Sequence, residues 1–258
     1  MSAAISPTNL PAPRSTRLWA RWTVAWLVVW VVATFFMADA RSTELRILGD
    51  IARGVPQVEG EVADSDTRIR LLTSITIVAG IAAMIGWVAW QLRAQANLRA
   101  LGAKGLRFPP VLAVASWFVP VVNLVVPGLA VRELWKGSEP GTKESDWRSQ
   151  RLDPRVWAWW AAGLATAVLA FFTVRAGVAS HASWFGVLSV SPLSLRAAVH
   201  ANPAVPHLLT RDRFMIWASV FGVIGSVLAI TVLLGVEWRQ DIKSDAVAPA
   251  SWARRSDG

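Results

Sequence analysis

Five strongly apolar stretches of this chain carry no charged residue: Trp22–Ala38 (17 residues), Leu71–Leu92 (22), Phe108–Val131 (24), Val156–Val174 (19) and Phe214–Val236 (23). A bilayer core about 30 Å thick needs about 20 mainly apolar residues in a helix rising 1.5 Å per residue. Four of the stretches therefore predict spanning helices, near 19–38, 71–91, 156–175 and 213–237. Phe108–Val131 differs. It opens on Pro109-Pro110 and holds Pro120, Asn123 and Pro127. Proline removes a backbone donor and clashes with the preceding turn, so one straight helix is disfavoured. The expected fold class is all-α: a multi-span membrane helix bundle of four transmembrane helices, plus a Pro-broken re-entrant or interfacial helical segment over 108–136.

The polar stretches set the divisions. Residues 1–18 read as a disordered N-tail, 19–238 as the membrane domain and 239–258 as a polar C-tail. The first apolar run ends in Ala38-Asp39-Ala40, similar to a signal-peptide cleavage site, but the four tryptophans of the helix over 19–38 fit a retained anchor better. Asp39–Arg70 has seven acidic and five basic residues. Within it Leu45, Leu48, Ile51, Ala52 and Val55 recur at helical spacing, which predicts a short amphipathic helix ending near Gly54. Ser65 and Asp66 are candidate caps for the second span. Ala176–Arg211 is apolar but rich in Ser, Pro and Gly, and reads as a surface or interfacial segment; a further span over 176–195 stays open.

Composition narrows the class. Of 258 residues 54% are hydrophobic and 17% charged, below the roughly 25% charge of soluble domains. There are no cysteines, which excludes disulfides, thiolate nucleophiles and Cys-ligated metals. The net charge of +9 raises nucleic acid as a partner, yet the basic residues flank apolar runs. Anionic lipid head groups at the cytoplasmic face are the simpler partner, and no nucleic acid is expected.

Charge also sets orientation, because cytoplasmic loops carry excess Lys and Arg. If the Pro-broken run crosses the membrane, 11 basic residues lie inside and 15 outside. If it enters and leaves by one face, 17 lie inside and 9 outside. The second arrangement obeys the rule and places both termini in the cytoplasm, with a multi-pass protein in the plasma membrane. Tryptophan agrees: Trp19, Trp22, Trp87, Trp90, Trp157, Trp159, Trp160 and Trp238 gather near the inner ends, where indole is half wet. Trp19, Trp22, Trp26 and Trp30 share one helix face, as a packing and anchoring stripe.

One run is more specific. Trp90, Arg93 and Asn97 lie in WQLRAQANLRALGAKGLRFPP, followed by Trp117-Phe118-Val119-Pro120, Asn123-Leu124, Pro127 and Arg132-Glu133-Leu134-Trp135. The order and spacing over roughly 87–138 resemble the bacterial membrane-protein family called domain of unknown function 4328. Members often carry further Trp before the Trp-Phe pair, where this chain has Leu112 and Ser116. The resemblance implies an integral multi-span membrane protein and carries no catalytic residue. Trp90, Arg93, Asn97, Trp117, Phe118, Pro120, Asn123, Pro127 and Trp135 are the candidate motif. Arg93 and Asn97 share a helix face, and their donors are expected to satisfy carbonyls freed by the prolines around Asn123. Beyond the break, Val131, Leu134 and Trp135 are expected to face lipid, with Arg132 and Lys136 toward the cytoplasm.

Other chemistry is thin. Glu59, Glu61, Asp64 and Asp66 lack calcium-loop spacing and read as a solvated acidic loop. His181, His200 and His207 have no metal-ligand pattern. No catalytic or metal-binding residue and no cofactor is assigned. Ala158, Ala162, Thr166 and Ala170, like Ala218, Gly222 and Ser226, recur every four residues as close helix contacts, within one chain or in a homo-oligomer. The expectation is a non-enzymatic structural or interaction component of the cell envelope, partnered by lipid, another copy or an unknown membrane protein. The alternative is a small channel or transporter using the broken segment around Asn123, against which stands the lack of charge inside the apolar runs.

Overall fold

The computed structural model describes residues 13–53, 55, 59–141, 146–151, 153–180 and 205–247. Among them are six α-helices and no strand: α1 (Arg17–Ala52), α2 (Glu59–Ala100), α3 (Pro110–Ala115), α4 (Val126–Gly137), α5 (Pro154–Ser180) and α6 (Val205–Val247). Short 3-10 turns occupy Val122–Leu124 and Asp146–Ser149. Helices α1, α2, α5 and α6 are each long and apolar enough to cross a membrane. Among the described residues the chain therefore forms an all-α architecture of four such helices and a Pro-broken segment. His181, His200, the segment 181–204 and the ends 1–12 and 248–258 lie outside the described residues.

Three helices outrun their apolar stretches by more than fifteen residues. α1 has 36 residues, α2 has 42 and α6 has 43. The separate amphipathic helix expected over 45–55 is the end of α1. Ion pairs at helical spacing carry it through the polar stretch: Arg46 reaches Asp50 and Arg53 reaches Asp50. Arg46 also pairs with Glu61, and Arg68 with Asp39, tying this extension to α2. Helix α2 begins at Glu59, so Ser65 and Asp66 are buried inside it and do not cap it. Helix α6 runs on through Arg239 to Val247, into what reads in sequence as tail.

The chain divides into two compact units. Unit 1 gathers Met1–Val24, Ala83–Ala158 and Leu228–Gly258; unit 2 gathers Ala25–Ala82 and Trp159–Val227. In unit 2, Gly222 of α6 is so close to Trp30 of α1 that an added Cβ would lie 2.6 Å from the indole. The same point is 3.7 Å from Thr166, and a Cβ on Gly225 would lie 3.6 Å from Ala162. The small residues thus admit neighbouring helices at close range, as their spacing predicts. Ile47, Leu48, Val62 and Leu208 form a buried cluster in the same unit.

Unit 1 holds the broken segment. α3 stops after six residues. Val121 then adopts φ 68°, with Val122 N–H donating to Pro120 O at 2.8 Å, a tight γ-turn strained for a β-branched residue. Pro127 sits in the first turn of α4, where its missing N–H costs nothing.

Candidate functional site

The family-like residues meet in unit 1 through helix α2. Trp90 is fully buried and its indole donates to Glu237 of α6 at 2.7 Å. One residue on, Gln91 accepts from the Trp117 indole at 2.8 Å, and Trp117 meets Trp87 edge to face at 6.2 Å. Gln95 donates to Ala130 O of α4 at 3.0 Å. Gln91 and Gln95 stand one turn apart and both are buried, so α2 grips both ends of the break through two amides.

Arg93 and Asn97 do different work from that expected of them. Asn97 accepts from Arg14 N–H at 2.8 Å and donates to Arg14 O at 2.9 Å, a two-bond clasp on the chain entering α1. Arg93 donates to Ser15 O and lies 5.6 Å from the Trp19 ring centroid. Residues 13–18 are thereby docked rather than tail-like. The break is satisfied locally. Asn123 Nδ2 donates to Trp117 O at 3.2 Å and Asn123 N–H to Val119 O at 2.9 Å. An asparagine already inside the turn reaches those carbonyls without help from α2. Phe118 and Pro120 point outward, Phe118 at 66% exposure.

Helix α4 also corrects an expectation. Val131, Leu134 and Trp135 are buried against protein, and Lys136 is buried too. Trp135 lies under the Arg239 guanidinium at 4.0 Å, with Arg155 at 5.6 Å. Gly235 is the reason it fits: a Cβ there would lie 2.7 Å from the ring. The last carbonyls of α4 lack helical partners and attract cations. Arg239 donates to Trp135 O and Lys243 to Gly137 O. Gln240 donates to Ala94 O of α2 and to Ser138 Oγ.

Glu237, Gln91, Gln95, Gln240 and Lys243 were not singled out in the sequence, and Glu133 was named only within the run Arg132–Trp135. Their signal is polarity next to the ends of apolar runs, which reads equally well as solvent exposure. Glu133 receives Arg107 N–H at 2.7 Å and Phe108 N–H at 3.1 Å, fixing the loop before α3. Burial raises its pKa, and these two bonds oppose the rise. Burial, then the charge of Arg132, lowers that of Lys136.

A second polar group lies buried in unit 2. Arg41 and Glu44 of α1 meet Arg211 and Asp212 of α6: Arg41 pairs with both carboxylates, at 2.5 and 3.4 Å, and Arg211 with both, at 2.9 and 2.8 Å. Every one of these side chains is less than a tenth exposed. Two cations against two anions make the quartet formally neutral, the condition under which buried charge is tolerable. Of the acidic residues expected as a loop, Glu61 pairs with Arg46 on a helix. Among the described residues no group of three or more His, Cys, Asp or Glu is arranged to hold a metal.

Among known proteins, the family described as Domain of unknown function (DUF4328) matches residues 53–237. That span contains the whole candidate motif and the region 87–138 on which the resemblance rests. No curated protein and no solved structure matches the chain.

Proposed function

The chain belongs to the DUF4328 family, and from that premise we propose a non-enzymatic role. It is a multi-pass plasma-membrane protein that serves the cell envelope as a structural or interaction component. The observation that carries this reading is the commitment of the motif to the fold. Trp90, Gln91, Gln95, Asn97, Trp117 and Asn123 each spend a polar atom on a backbone carbonyl, a backbone N–H or another side chain of unit 1. Buried polar groups tied this way specify one arrangement of helices, and a group so engaged makes a poor nucleophile or general base. Asn123, the residue on which a channel would rest, is likewise occupied by its own turn.

The test is solute flux. Full-length protein reconstituted in liposomes is expected to pass ions and small solutes no faster than empty vesicles do. In detergent, Gln95→Leu is expected to lower the melting temperature, since it removes the buried hydrogen bond between α2 and α4. Flux through the wild type that disappears in Asn123→Leu would overturn the proposal in favour of transport.

A further inference from the structure

Between the loop before α3, helix α4 and the 3-10 turn at Asp146–Ser149 lies a cavity of about 200 Å³. It is lined by Arg107, Arg132, Lys136 and Arg148, with Glu133 as its acid. The volume is far above the roughly 15 Å³ that a single water needs. Both Glu133 oxygens are already taken by backbone N–H groups. Among the described residues none of the four cations forms an ion pair within 4 Å. Instead, neutral groups hold three of them in place. Lys136 donates to Arg148 O at 3.2 Å. Arg148 donates to Gly105 O and rests 5.3 Å from the Trp147 centroid. Arg132 lies 5.9 Å from the Trp157 centroid. Trp147 is itself buried and anchored to Lys104 O.

We propose that this cavity is a binding site for a phosphate group, presented by an anionic phospholipid or by a soluble phosphate compound. Four cations around one spent carboxylate leave an excess of positive charge that an anion neutralises. Guanidinium forks match phosphate oxygens two at a time, and an ammonium adds a point charge. A tetrahedral anion can use donors from several directions at once, which suits three guanidinium groups and an amine on three different segments. The apolar part of the lining, Phe108 and Leu129, leaves room for a glycerol backbone beside the head group. This site is independent of the scaffold role proposed above, because it uses none of the motif amides.

Two arms separate the sources. Full-length, delipidated protein in neutral detergent is titrated with inorganic phosphate at low salt. The same protein is extracted from nanodiscs of phosphatidylcholine with or without phosphatidylglycerol, and retained lipid is counted by native mass spectrometry. Arg107→Gln/Arg132→Gln removes two exposed or half-exposed donors without touching Lys136 or Glu133. Arg46→Gln/Arg53→Gln makes the same charge change elsewhere. Phosphate affinity, phosphatidylglycerol retention or both are expected to fall about tenfold or more in the first variant and to hold in the second. Phosphate binding alone assigns a soluble ligand, and lipid retention alone assigns a head group. Failure of the wild type in both arms overturns the site, as does an equal loss in the control variant. Matching helical circular dichroism shows that both variants are folded.

Discussion

At the scale of single residues, tryptophan and glycine are paired. A Cβ on Gly86 would lie 2.5 Å from Trp22, one on Gly222 2.6 Å from Trp30 and one on Gly235 2.7 Å from Trp135. An indole is rigid, so added volume must be met by backbone movement. Gly235→Ala is expected to cost about 1–3 kcal/mol, visible as a lower melting temperature in detergent. Gly163→Ala, with nothing within 4 Å of the new atom, should leave it unchanged or slightly raised. Equal effects at the two sites would refute the contact. Asp153 makes a second point. It caps α5 by accepting from Arg155 N–H at 2.9 Å and pairs with the Arg155 side chain. The hydrogen bond from the Arg155 side chain, the largest cause, holds its carboxyl below the usual range. Its stabilisation is therefore present at neutral pH and is lost as pH falls below the ordinary carboxylate value toward the depressed one. Asp153→Ala is expected to cost about 1 kcal/mol at pH 7, and the gap from wild type should close in acid melts.

At the scale of elements, the quartet of Arg41, Glu44, Arg211 and Asp212 joins α1 to α6. Removing one member of a buried pair leaves charge uncompensated. Asp212→Asn is expected to destabilise by roughly 3–5 kcal/mol, whereas Arg46→Gln, at an exposed pair, should cost at most about 1 kcal/mol. A Leu or Met replacement of all four should recover most of the loss. Thermal melts of the three variants decide the matter, and an Asp212→Asn melt no worse than that of Arg46→Gln would sink it. The same quartet shows what the sequence hides. Apolar length made the four long helices and the proline break legible, because desolvation and proline sterics act locally. Arg41 and Arg211 are 170 positions apart in the chain, and each read as an ordinary polar flank. Helix ends were missed for a related reason: beyond its local pairs, the polar extension of α1 is tied down by Arg46–Glu61 and Arg68–Asp39, whose pairing depends on α2 being alongside. In the candidate site, the motif positions were readable but their partners were not. Asn97 could equally have reached the break or the chain entering α1, and only the fold selects Arg14.

At the scale of the whole molecule the open quantity is orientation, and the lack of cysteine makes it measurable. With α1, α2, α5 and α6 as the four crossings, the connection between α2 and α5 falls on the same side as both termini. Counted that way, 17 basic residues lie on the terminal side and 9 on the other. Lysine and arginine are retained in the cytoplasm during insertion, so the richer side is expected to be inside. The polar extension of α1 past Asp39 then faces outward. Ser42, exposed on that extension, and Ser149, exposed beyond α4, report on the two sides. Ser42→Cys in intact cells should react with a membrane-impermeant maleimide, and Ser149→Cys should react only after the membrane is opened. Labelling of Ser149→Cys from outside, with Ser42→Cys protected, would reverse the orientation. Labelling of both from outside would mean that the segment between α2 and α5 crosses the membrane. That outcome would place 15 basic residues outside against 11 inside, a distribution that the insertion rule disfavours.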